Sequence, residues 1–150
     1  VQSWLLDLSL VAGYWQGNND SGARTYHHTA PVNALMGLHE ALRKIVEEGL
    51  ENVWARHKMV SDIIVLGMEN MGFSMLVDEL IRLPELLTIK LPEGIDDIAI
   101  RKKLLDEYNL EISAGLGPFA GKLWRIGVMG EGAREENALK VLSAIRECIN

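Results

Sequence analysis

A tyrosine, two histidines and a threonine stand together in TYHHTAP, residues 25–31, and an amphipathic stretch begins directly after them. A helix starting at such a point offers unpaired backbone N–H groups and a partial positive charge. Thr29 brings a hydroxyl to that end and Tyr26 brings a phenol. Together they could clamp a phosphate with no basic residue in the clamp. The same residues also suit a plain structural role, in which Thr29 caps the helix and Tyr26 packs nearby. His27 and His28 do not read as metal ligands, because adjacent side chains diverge and no HExxH or cysteine partner accompanies them. A structural role, or a hydrogen bond near a ligand, suits the pair better. His39 and His57 lie at ordinary helical positions.

The second candidate is Arg125, within SAGLGPFAGKLWRIGVMG, residues 113–130. It sits mid-strand among Leu123, Trp124, Ile126 and Val128, where a guanidinium is costly to bury unless it is paired. Its planar fork matches a carboxylate through two parallel hydrogen bonds. Arg125 therefore either holds one of the protein's own acids or waits for a ligand's carboxylate. Gly115, Gly117 and Gly121 leave room beside it and favour the ligand. Their G-x-G-x-x-x-G spacing is one residue off the dinucleotide fingerprint and leads into a strand, so that reading fails. What the glycines permit is a tight, closely approached backbone.

No other chemistry stands out. There is no G-x-S-x-G, no cysteine near a histidine and no pair of carboxylates. Trp54 and Trp124 read as packing, the methionines as core filler, and the acids and bases of 96–111 as a solvated face. The 150 residues carry a net charge of −6, which argues against nucleic acid as a partner. No apolar run approaches the ~20 residues of a membrane span. A single cysteine, Cys148, excludes a disulfide within the chain and points to a reducing, cytoplasmic home. The ending ECIN carries no peroxisomal signal.

The elements that must hold these groups follow from periodicity and punctuation. The opening stretch has an apolar face (Trp4, Leu5, Leu8, Val11, Trp15), lacks an initiator Met and reads as the edge of a longer protein whose remainder would cover that face. GNNDSGAR, 17–24, is a polar loop and the expected domain boundary. A helix over 31–48 has Pro31 in its first turn and a stripe of Leu35, Leu38, Leu42 and Ile45 expected to be buried. A second helix over 50–70 turns Leu50, Val53, Val60, Ile64 and Met71 inward and ends at Gly72. Strands are expected at 73–77, 86–91, 110–113 and 122–129. Asp96 caps a helix through about 107 with Ile100, Leu104 and Tyr108 inside. A last helix over 133–148 buries Ala138, Leu142 and Ile145. After the two leading helices the order is β-β-α-β-β-α, a two-layer α+β domain with a mostly antiparallel sheet and helices on one side.

Taken in combination, TYHHTAPVNALMGLHEAL, EEGLENVWARHK and LEISAGLGPFAGKLWRIGVMG make the chain similar, from about Trp4 to its end, to the C-terminal part of class V aminotransferases, in particular the serine–pyruvate / alanine–glyoxylate branch. The resemblance implies a fold-type I enzyme that uses pyridoxal phosphate and works as a homodimer. It implies that 1–24 are the tail and linker of a large cofactor-binding domain and 25–150 the small domain. It implies that Tyr26 and Thr29 reach the cofactor phosphate of the other subunit and that Arg125 binds the α-carboxylate of a small amino or keto acid. The family also needs a lysine forming a Schiff base with the cofactor, and an acid on the pyridine nitrogen. None of Lys44, Lys58, Lys90, Lys102, Lys103, Lys122 or Lys140 stands in that lysine's context, so the chain alone is expected to be inactive. The complete enzyme would move an amino group from alanine or serine to glyoxylate or pyruvate. The rival expectation is a non-catalytic small-molecule-binding or dimerisation domain.

Overall fold

The computed structural model describes residues 2–16 and 25–149. The boundary loop expected at 17–24 lies outside the described residues. The chain divides into two compact units, Val1–Lys44 and Ile45–Asn150.

In the first unit a 3₁₀ turn, Trp4–Leu6, precedes helix α1, Leu8–Gln16. The Asp7 carboxylate accepts from the backbone N–H of Ser9 at 2.9 Å and so caps α1. Trp4, Leu5, Leu8 and Trp15 are each more than half exposed, and Val11 is half-buried. Helix α2, Val32–Glu48, whose last four residues fall in the second unit, begins one residue after Pro31, whose carbonyl accepts the first helical hydrogen bond from Leu35 N–H at 3.0 Å. The stripe expected to be buried on α2 is not buried. Leu35, Leu38 and Leu42 are 50%, 55% and 52% exposed, and α2 has no buried residue. The period of the sequence is that of a covered helix, but among the described residues nothing covers it.

The second unit holds α3 (Leu50–Asn70), β1 (Ser74–Met75), β2 (Leu86–Lys90), α4 (Asp97–Tyr108), β3 (Ser113–Ala114), β4 (Leu123–Gly127) and α5 (Glu135–Ile149). The strands form one antiparallel sheet in the order β1-β2-β4-β3. Along β2 and β4 the side chains alternate. Leu87 and Ile89 pair with Ile126 and Trp124, and all four are buried against the helices. Thr88 pairs with Arg125 on the opposite face. Val60, Ile64 and Met68 of α3, Ile100 and Leu104 of α4, and Ala138, Leu142 and Ile145 of α5 complete the core. Leu50, expected inside, lies half in solvent at the first turn of α3.

Local chemistry sets most of the boundaries. Gly72 adopts φ +87° and closes α3 in a Schellman motif: Gly72 N–H bonds Glu69 O at 3.0 Å and Phe73 N–H bonds Met68 O at 3.1 Å. Phe73 then enters the core and stacks on Trp124 at 5.4 Å. Asp96 caps α4 by accepting from Ala99 N–H at 3.0 Å. The strand expected at 110–113 is displaced to Ser113–Ala114. Asn109 takes a left-handed conformation, φ 52°, and Leu110 N–H bonds back to Leu104 O at 3.0 Å, so these residues finish the helix instead of joining the sheet.

The solvated face expected over 96–111 needs one correction. Asp97 is buried: its Oδ1 accepts from the Trp124 indole N–H at 2.8 Å and from Arg101 Nε at 2.6 Å. The hydrogen bond from Arg101 does most to hold the Asp97 carboxyl below its usual value; burial opposes it and the Trp124 bond assists it. A carboxyl lowered on folding adds stability that is complete above its unfolded pKa, about 3.9, and fades as pH falls through the depressed native value. Asp97→Ala strands the buried indole N–H without an acceptor and is expected to cost about 1–3 kcal/mol at neutral pH. Urea unfolding of wild type and variant should show that difference shrinking on acidification below about pH 4; a difference that stays constant would refute the role.

Candidate active site

Tyr26 and Thr29 are brought together. Tyr26 Oη lies 2.6 Å from Thr29 Oγ1, and the Tyr26 ring packs edge-on against Tyr14 at 6.2 Å. Both residues are exposed. The simple capping role for Thr29 is not the one adopted, since its hydroxyl pairs with the phenol and not with the backbone of α2. The result is two hydroxyls side by side just ahead of a 17-residue helix with no acidic residue in its first turn. A phosphate oxygen could accept from the hydroxyl whose proton the pair leaves free, or from both if their mutual bond opens, and the positive end of the helix dipole favours the charge.

The histidines lie between this pair in the chain and do more than their adjacency suggests. Their rings are set at 81°, yet His27 Nδ1 and His28 Nδ1 are 2.7 Å apart, so one donates and the other accepts. His27 is 6% exposed and stacks on Trp4 at 4.0 Å. The Trp4 stack has no sequence signal, because residues 23 positions apart share no period that links the two.

In the second unit Arg125 lies on the face of the sheet that the helices leave uncovered. Its cross-strand neighbours are Thr88 on β2 and Ser113 on β3. Its Nε donates to Ala114 O at 3.0 Å, which ties the side chain towards β3. Among the described residues no carboxylate pairs with it. Of the described carboxylates, then, none is the internal acid that Arg125 could have held. The glycine loop beside it folds tightly: Gly117 (φ +54°) opens a 3₁₀ turn, Gly117–Phe119, and Gly121 (φ +71°) delivers the chain into β4.

A third cluster fixes the far end of β4 and was not foreseen. Arg56 Nη1 donates to Gly130 O and Ala133 O, both at 2.9 Å, while its Nε and Nη2 hold Glu48 at 2.6 and 2.8 Å. The Arg56 hydrogen bond holds the Glu48 carboxyl below its usual range. His57 is buried, lies 2.7 Å from Val53 O through Nδ1, and accepts from Gly130 N–H at 3.1 Å through Nε2. Those partners fix a neutral imidazole with its proton on Nδ1. The pair locks the Gly130–Gly132 turn that follows β4.

No family model matches the chain. Alanine–glyoxylate aminotransferase of Felis catus is 38% identical over 148 residues, which make up 98% of this chain and 35% of that protein. The (S)-ureidoglycine–glyoxylate transaminase of Bacillus subtilis (strain 168) is 37% identical over 145 residues, 97% of this chain and 34% of that protein. The crystal structure of an alanine–glyoxylate aminotransferase from Nostoc sp. has a TM-score of 0.89 at 40% identity, covering 100% of this chain and 38% of that one. The chain thus spans little more than a third of the length of the relatives it matches. No described helix is long and apolar enough to cross a membrane.

Proposed function

We propose, for a chain that shares sequence and fold with the C-terminal part of class V aminotransferases of the alanine–glyoxylate branch, that it supplies the small domain of a pyridoxal-phosphate-dependent transaminase. In that enzyme residues 25–150 would be the small domain and 1–24 the end of the large one. The amino group would pass from alanine or serine to glyoxylate or pyruvate. The observation that carries this reading is Arg125, a guanidinium on an open sheet face with its inner nitrogen anchored to Ala114 O and, among the described residues, no carboxylate on its outer fork.

Each group has a distinct task. Arg125 binds the α-carboxylate by a bidentate, charge-assisted pair and so fixes which way the amino group of the substrate points. Tyr26 and Thr29 hold the phosphate end of a cofactor carried by the second subunit of a homodimer. Pyridoxal phosphate, when bound, supplies an electron sink for the substrate's α-carbon. The lysine that carries it and the acid that tunes it would lie in the large domain, so the isolated chain would not transaminate. The uncovered apolar stripes of α1 and α2 support a protein partner, because exposed contiguous apolar surface of this kind marks an interface.

The test is expression of the complete reading frame. The expected product is yellow, dimeric and active with alanine and glyoxylate, whereas residues 1–150 alone are inactive. A colourless protein that still binds a small carboxylate through Arg125 would instead support a non-catalytic binding domain.

A further inference from the structure

We infer that Gly115 is a positioning residue for Arg125, acting through the peptide unit that joins Ala114 to Gly115. The inference rests on the assignment of Arg125 to the substrate carboxylate. That one peptide unit is held at both ends by β4: its N–H donates to Leu123 O at 2.8 Å and its C=O accepts from Arg125 Nε at 3.0 Å. The direction in which the Arg125 fork leaves the sheet therefore depends on the tilt of this peptide.

Gly115 is buried, and its missing side chain is what allows the tilt. A Cβ at this position would lie 2.1 Å from Phe119 O and 2.7 Å from Phe119 C, where real Cβ contacts essentially never fall below 3.0 Å. The obstacle is backbone, and it is itself held. Phe119 O accepts from Lys122 N–H at 3.0 Å, and Lys122 O accepts from Leu91 N–H at 2.9 Å at the head of the sheet. Pro118 stiffens the Gly117–Phe119 turn that carries the Phe119 carbonyl. A methyl group at 115 can be relieved only by lifting Phe119 from Lys122 or by turning the 114–115 peptide away from Leu123 and Arg125. Either way the anchor of Arg125 shifts by roughly an ångström, a displacement that can cost up to about 100-fold in rate.

Steady-state kinetics of the holoenzyme in a double-mutant cycle test this. Gly115→Ala is expected to raise KM for the amino donor by about 10-fold or more, with a smaller change in kcat and unchanged cofactor retention. In an Arg125→Ala background the same substitution is expected to raise KM no further, because the group it acts through is gone. Pro118→Gly, on an exposed turn, loosens the same carbonyl; it should raise KM a few-fold in the wild type and not in the Arg125→Ala background, and it carries the test should Gly115→Ala not fold. Effects that persist undiminished in the Arg125→Ala background would overturn the inference while leaving Arg125 in its role. An Arg125→Ala enzyme with unaltered KM would instead remove the role on which the inference rests.

Discussion

Arg125→Ala in the complete enzyme is expected to lower kcat/KM for the amino donor by about 10- to 150-fold, the equivalent of the ~1.5–3 kcal/mol that a hydrogen bond to a charged group contributes. The loss should be felt by the amino acid and the keto acid alike, since both carry the carboxylate. Cofactor retention should be unchanged, because the phosphate contacts are assigned to other residues, Tyr26 and Thr29. Arg125→Lys keeps the charge but cannot keep Nε on Ala114 O and also present a fork, so it should fall between wild type and alanine. Truncation should not unfold the sheet: the side chain is on the uncovered face and, among the described residues, its one hydrogen bond is to a carbonyl at 3.0 Å. Undiminished use of alanine by the alanine variant would end the assignment.

The parts of this fold that were legible in the sequence are those decided within a few residues. Gly72 and Asp96 announce a helix end and a helix start because a left-handed cap and a side-chain cap need no distant partner. The alternation around Leu87–Ile89 and Trp124–Ile126 declares strands because one face must be buried. The misplaced third strand shows where this stops. Residues 110–112 have the composition of a strand, but Asn109 and Leu110 are claimed by the cap of α4. Asp97 reads as solvated in the sequence because its acceptor role depends on Trp124, 27 positions away. Burial of a charge is a property of two segments together and leaves no mark on either alone.

The candidate site divides in the same way. The residue type and strand setting of Arg125 identify a group that needs an anion, but only the register shows that its cross-strand neighbours are Thr88 and Ser113, neither of them an acid. The α2 stripe shows the limit most clearly. Its period states that Leu35, Leu38 and Leu42 want cover, yet periodicity carries no information about which surface provides it. Arg56 and His57 had no signal, because their partners are backbone atoms of the Gly130–Ala133 segment, and a carbonyl or N–H looks the same in every sequence.

Removing both hydroxyls with Tyr26→Phe and Thr29→Val is expected to weaken pyridoxal phosphate binding by about 100-fold, each donor to a charged phosphate being worth ~1.5–3 kcal/mol in isolation. The double variant should lose more than the two single variants added together. Tyr26 Oη and Thr29 Oγ1 share a hydrogen bond of 2.6 Å, so either hydroxyl left alone is freed from its neighbour and can turn wholly to the ligand. Each single variant is therefore expected to cost less than half of the double in free energy. Titration of the apoenzyme with the cofactor, followed by its absorbance, measures this directly. With cofactor saturating, KM for the amino donor should stay near wild type, which separates this cluster from Arg125. If instead the double variant keeps its cofactor and loses thermal stability, the Tyr26–Thr29 bond is a staple of the segment ahead of α2, and phosphate recognition must be sought elsewhere in the enzyme.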